Sequence, residues 1–214
     1  MQTRRNKTTA GFWRSGILLL ALGGPMLLSL AEAQADHPWL DAQLKKQRYA
    51  CPPGNSPVRG PAEAQVTIVE FADYDCPYCA SDEPVIKQVL AAYPTQVKLV
   101  FKNLPLDIHS TAHQKAVLAD CMGAQGKFWP AHDALITGTA PQKVRQGADQ
   151  GKLTACISQG GDGQVAADLA LAKKLGMATT PGWVIDGIRI GGSLGMAQFK
   201  LLIDEELARK SAAK

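Results

Sequence analysis

Surplus charge, internal repeats and low-complexity tracts are what this sequence lacks. Its 23 Lys and Arg residues stand against 19 Asp and Glu in a chain of 214. Arg4, Arg5, Lys7 and Arg14 face a single acid, Glu32, within residues 1–35, so the rest of the chain is within about one charge of neutral. No basic face is imposed on the fold, which leaves no footing for nucleic-acid binding. With 46% hydrophobic residues and no repeat, a collagen-like, long disordered or polytopic membrane chain is excluded. The length suits one large domain or two small ones with a real core.

The N-terminus reads as an address. A basic stretch ends at Arg14, residues 16–31 (GILLLALGGPMLLSLA) carry no charge, and Ala31, Ala33 and Ala35 offer two overlapping small-residue cleavage sites. Gly23-Gly24-Pro25 interrupts the apolar run, which falls short of the ~20 residues a spanning helix needs. A signal peptide cleaved after Ala33 or Ala35 is expected, with an uncleaved anchor as the alternative and the only route to the membrane. Thr3-Arg4-Arg5 is a faint twin-arginine pattern of little weight. The expected destination is the periplasm, where disulfides persist.

Residues 36–48 form a short polar helix in this reading, and 49–65 a Pro/Gly-rich connector without regular structure. Two β-branched runs, 66–71 (VTIVEF) and 97–101 (VKLVF), read as buried strands flanking a helix over 77–93. Ala-rich segments at 113–124, 128–136, 153–158 and 165–175, punctuated by glycines, make a helical block of three to five helices. Strand signals return at 182–186 and 188–190 around Gly187, as in a tight hairpin, and 196–209 is a closing amphipathic helix.

Cys76-Pro77-Tyr78-Cys79 falls where a strand hands over to a helix, a redox signature with a physical basis. Cysteines three apart on a first helical turn share a face and reach disulfide distance. Pro77 suits the first helical position. Cys76 then lies at the helix start, where free N–H groups and the dipole favour a thiolate, so Cys76 is the expected nucleophile and Cys79 the resolving thiol. Asp73, Asp75, Asp82 and Glu83 oppose this, because nearby negative charge disfavours a thiolate; the reading assumes that they face solvent. An inert bridge or half a metal site are the alternatives. No metal site is expected, since Cys121 and Cys156 stand alone and His109, His113 and His132 are poorly spaced for a ligand set. No cofactor is expected either.

VTIVEFADYDCPYC, VKLVFKNLPL, GAQGKFWPAHDAL and TTPGWVIDG together resemble the DsbA-type branch of the thioredoxin superfamily. The resemblance implies an α/β class and a thioredoxin-like fold, a central mixed sheet flanked by helices, interrupted by an all-helical insertion. The implied organisation is a signal peptide at 1–35, an extension and connector at 36–65, thioredoxin-like parts at 66–102 and 177–214, and the insertion at 103–176. It further implies that Thr180-Pro181 is the cis-proline loop facing the active-site disulfide, and that Glu70 is a buried acid able to exchange a proton with Cys79. Without the resemblance, Glu70 reads as an edge-strand acid facing water. Lys102 is either its partner or a solvated strand-end lysine, and Pro84 matches a structural helix kink. Thr180, Pro181, Pro77 and Tyr78 are the residues expected to meet substrate.

Relatives with a second disulfide in the helical domain imply a structural Cys121–Cys156 bridge, two buried thiols being the alternative. Cys51 is left as a free thiol, an intermolecular site or a third redox participant. His109 and His113 could share a helix face, in a cap or core role rather than a metal one. Trp129 reads as core, and Trp183 as either groove-lining or strand packing. The implied activity is a thiol–disulfide oxidoreductase that puts disulfides into reduced or unfolded secreted proteins and is recycled by a membrane redox partner. The alternatives are an isomerase or reductase, including the copper-tolerance type, for which residues 36–48 could be an association helix, and a non-catalytic binding module.

Overall fold

The computed structural model describes residues 37–213. The expected signal segment and its cleavage sites after Ala33 and Ala35 lie outside the described residues. In chain order the elements are α1 (Pro38–Leu44), β1 (Val58–Arg59), β2 (Val66–Ala72), α2 (Pro77–Ala92), β3 (Val97–Asn103), α3 (Ala112–Gly123), α4 (Phe128–Ile136), α5 (Pro141–Arg145), α6 (Gln150–Ser158), α7 (Gly163–Leu175), β4 (Gly182–Ile185), β5 (Ile188–Gly191) and α8 (Met196–Ala212).

The strands form one mixed sheet in the order β1-β3-β2-β4-β5. The two β-branched runs pair in parallel at its centre, as a crossover helix requires, and the other pairings are antiparallel. Register sets the faces. Ile68 and Glu70 of β2 align with Leu99 and Phe101 of β3 and with Ile185 and Trp183 of β4. This face packs against α2 and α8 through Ile86, Val89, Phe199 and Leu202. Val69, Phe71, Val100 and Val184 point the other way, onto Ala172 and Leu175 of α7. Asp186 and Gly187, both at positive φ (44° and 92°), close the β4–β5 hairpin, where Gly takes that conformation at no steric cost.

Two expectations for the N-terminal region fail. The connector contributes β1, whose Val58 and Arg59 pair with Val100 and Leu99, a pairing too short to leave a local signal among prolines and glycines. Helix α1 is not wholly polar: Leu40 is buried, Trp39 packs beside it, and both join the core cluster of α8 and β5. This side of α1 is covered by the chain's own body.

Helices α3–α7 make the helical block. Cys121 of α3 and Cys156 of α6 are joined by a disulfide across a sequence separation of 35, a closure that constrains the unfolded chain by ~2–4 kcal/mol. Gly161 passes so close that an added Cβ would sit 2.6 Å from Cys121 Sγ, so only glycine fits there. Beside the bridge, burial pushes Asp120 from 3.8 up to about 7, while Asn103 donates to its carboxylate at 3.1 Å. Between those pH values the folded chain holds a proton that the unfolded chain has released, so stability falls as pH rises, by at most about 1.4 kcal/mol per pH unit. Asp120→Asn keeps an acceptor for Asn103 and removes the charge. Urea unfolding is expected to show its advantage over wild type growing from pH 5 to pH 7.5. An advantage that stays constant would mean Asp120 is solvated.

Candidate functional site

The site forms where the central strand β2 ends and α2 begins. Cys76 is the N-cap of α2, in extended backbone (φ −77°, ψ 119°), and Pro77 occupies the first turn. Cys76 N–H donates to Asp73 O at 3.1 Å, and Cys76 O accepts from Ala80 N–H at 3.2 Å. Its Sγ thus sits at the open amides of the helix start. Both sulfurs are free thiols, but they are not equivalent. Cys76 keeps 6% exposure and is followed by exposed Pro77 and Tyr78, whereas Cys79 has none.

Opposite them, the Thr180–Pro181 peptide bond is cis. Cys76 Sγ–H donates to Thr180 O at 3.4 Å, so the loop before β4 and the N-terminus of α2 meet at one sulfur. Tyr78 is 65% exposed beside them.

Beneath Cys79 lies Glu70, 1% exposed, on the sheet face covered by α2. Its Oε2 has no hydrogen-bond partner. Burial first, then the charges of Glu83 and Asp82, push its carboxyl well above the usual carboxylate range, which favours its protonated form. Burial likewise raises the Cys79 thiol far above an ordinary cysteine, with Cys76 and Glu70 adding to it. Burial therefore favours the protonated form of both groups in the inner half of the site.

Lys102 is not Glu70's partner, nor is it solvated. It aligns with Phe71, one residue out of phase with Glu70, so its side chain leaves by the opposite face. There it meets Asp168 of α7 at 3.2 Å, and both are buried. The flanking acids also depart from expectation, since Asp73, Asp82 and Glu83 are all buried. Specific partners replace water around all but Asp82, whose Oδ2 is buried without a hydrogen-bond partner. Asp73 accepts from Asp75 N–H, Leu106 N–H and His109; Asp75 pairs with Lys115 and Thr111; Glu83 pairs with Lys87 at 2.9 Å.

Glu83, His132 and Asp133 bring ligand-type atoms within 4.8 Å of one another. Lys87 already faces Glu83, and Arg59 forks onto Asp133 with both distances 3.0 Å, so cationic side chains supply the charge a metal would bring. His132 is buried and shares a proton with Tyr74 OH through Nδ1 at 3.2 Å. His109 and His113 do not share a helix face, because α3 starts at Ala112 and His109 stays in the preceding loop. Trp183 lines no groove: it is fully buried, edge-on to Phe199. Trp129, under the Arg59 guanidinium, lines a cleft of about 560 Å³ with Val58 and Asp120 that neither active-site cysteine borders. Cys51 is half-buried, and burial pushes its thiol to about 11, which makes it a poor nucleophile at neutral pH.

A family model described as thioredoxin matches residues 53–205. The chain belongs to the thioredoxin family. Among solved structures, a thioredoxin-like oxidoreductase from Silicibacter pomeroyi is 30% identical, with a TM-score of 0.67 over 73% of this chain and 94% of that one. Pseudomonas aeruginosa DsbA2 is 29% identical, with a TM-score of 0.63 over 73% and 96%. BdbD from Bacillus subtilis, 20% identical with a TM-score of 0.67 over 76% and 96%, shares the fold. Within the thioredoxin family this chain is DsbA-like. Among curated proteins, the Na(+)/H(+) antiporter NhaA 3 of Salinispora tropica is 35% identical over 150 residues, 65% of this chain but 23% of the antiporter. The chain spans less than a quarter of the length of that relative.

Sequence reading missed the role of Asp73. Its partners Leu106 and His109 lie more than thirty residues away, and no local pattern announces a contact of that span.

Proposed function

We propose that this thioredoxin-family chain is an exported thiol–disulfide oxidoreductase that introduces disulfide bonds into reduced or unfolded secreted proteins through a mixed disulfide at Cys76. One observation carries the reading: the two sulfurs are ordered, an outer one at the helix start and a fully buried one over a buried acid whose pKa burial raises. In the oxidised enzyme a client thiolate attacks Cys76 Sγ. The client–Cys76 bond forms, the Cys76–Cys79 bond breaks, and Cys79 leaves as a thiolate that takes up a proton, with Glu70 as the adjacent donor. A second client thiolate then attacks the client sulfur of the mixed disulfide, freeing Cys76 as its thiolate. Two client thiols become a disulfide, the enzyme ends as the dithiol, and a membrane redox partner removes the two electrons. Thr180 O and Pro181, facing Cys76, favour a client held in extended form, with Pro77 and Tyr78 on the other side.

Export to the periplasm rests on residues 1–35 acting as a signal, and the mass of the secreted chain would report cleavage after Ala33 or Ala35. Activity is tested on reduced, unfolded ribonuclease, where regain of native disulfides is the expected result. The Cys76–Cys79 pair, equilibrated against glutathione, is expected to lie near the oxidising end of the family range, ~−120 mV. A far more reducing value would favour an isomerase or reductase. A chain that neither oxidises ribonuclease nor reduces insulin would be a binding module.

A further inference from the structure

Behind the cysteine pair, one buried carboxylate organises the turn that carries it. Asp73 is 1% exposed. Its Oδ1 accepts from Asp75 N–H at 2.6 Å, and its Oδ2 accepts from Leu106 N–H at 2.7 Å and from His109 Nδ1 at 2.8 Å. Through its backbone the same residue also holds the motif: its carbonyl accepts from the Cys76 backbone N–H at 3.1 Å. Asp73 thus ties the turn to the loop between β3 and α3, and His109 closes the tie.

The His109 side chain keeps 20% exposure, against none for the Asp73 side chain. To bond a carboxylate, Nδ1 must carry its proton, so the contact fixes the tautomer as well as the ring. Without the imidazole, a buried carboxylate keeps only two amide donors. It must then turn towards water and pull the turn with it, or stay buried in the turn that leads into Cys76 with less of its charge compensated. Either outcome disturbs Cys76.

We propose that Asp73 and His109 are a positioning pair for thiol–disulfide exchange, in which the imidazole anchors the carboxylate that sets the 73–76 turn and so holds Cys76 Sγ opposite Thr180 O. This rests on Cys76 being the exchanging sulfur. The alternative is a brace that stabilises the fold without influencing the sulfur.

The test uses the reduced full chain and iodoacetamide at pH 7, with Cys76 alkylation read by peptide mass so that Cys51 and Cys79 do not interfere. His109→Ala is expected to slow Cys76 alkylation about tenfold, the order expected for losing one charge-assisted hydrogen bond. His109→Asn, whose amide nitrogen takes the place of Nδ1, is expected to restore the rate to within about twofold. His109→Gln, whose amide sits where Nε2 was, should behave like alanine and serves if the alanine variant does not fold. The reduction potential of the pair should shift in Ala and Gln and return in Asn. A lowered melting temperature with wild-type alkylation and potential would overturn the proposal, as would faster alkylation. Alkylation needs no client, so a chain that fails on ribonuclease sinks the oxidoreductase reading while this comparison still decides the pair.

Discussion

Cys76→Ser is expected to abolish client oxidation, by more than about a thousandfold, while Cys79→Ser is expected to accumulate a covalent complex with its client. The asymmetry follows from placement. Serine at 76 removes the only sulfur of the pair with any exposure. The thiol left at 79 cannot substitute, because it is fully buried and burial holds its proton. In Cys79→Ser the outer thiolate still attacks a client disulfide, forming the mixed disulfide and releasing one client thiolate. No inner sulfur then displaces the client. Incubation with scrambled ribonuclease, followed by a non-reducing gel and mass spectrometry, should give a one-to-one adduct in Cys79→Ser and none in Cys76→Ser. An adduct through Cys79 in the Cys76 variant would invert the assigned order of the two sulfurs.

Features that depend on near neighbours were legible in the sequence. The β-branched runs are strands within a residue or two of their expected ends, the helical block contains five helices, and the hairpin turns at Asp186-Gly187. These follow from propensity and turn chemistry acting over a few residues. Features set by pairing at a distance were not. Whether Lys102 meets Glu70 depends on the parity of the β2–β3 register, and a run of apolar residues buried on both faces gives no period to read it from. Trp183 follows the same logic: its alignment with Glu70 and Ile190 sends it under Phe199 of α8, away from the cis-proline groove. The acids around Cys76 looked solvated because Asp and Glu usually are. Their partners Leu106, His109, Thr111, Lys115 and His132 arrive from β3–α3, α3 and α4, elements placed by the fold rather than by the motif.

Lys102→Met is expected to destabilise the chain by about 3–5 kcal/mol, the range for leaving one member of a buried ion pair without its counter-charge. Asp168 is 1% exposed and faces Lys102 at 3.2 Å. Its remaining donors, Asn103 N–H at 2.9 Å, Asn103 Nδ2 at 3.2 Å, Gln164 Nε2 at 2.8 Å and Ser56 Oγ at 3.5 Å, are neutral and cannot replace an ammonium. Lys102 Nζ also donates to Pro53 O at 3.1 Å, and Ser56 Oγ reaches Asp168 at 3.5 Å, so the pair pins the connector across the sheet as well as balancing charge. A double variant separates the two functions. In Lys102→Met with Asp168→Asn the orphaned charge is gone, and most of the lost stability in urea unfolding should return, giving a coupling energy well above that of a surface pair. The connector contacts through Nζ stay lost in both variants. Cys51, which packs beside Lys102 and Asp168 and is shielded by burial, should therefore become open to alkylation at neutral pH in the double variant even where stability has recovered. Recovery of stability with Cys51 still protected would mean that the connector is held by apolar packing alone. No recovery would mean that the cost lies in the lost Pro53 contact rather than in the unbalanced carboxylate.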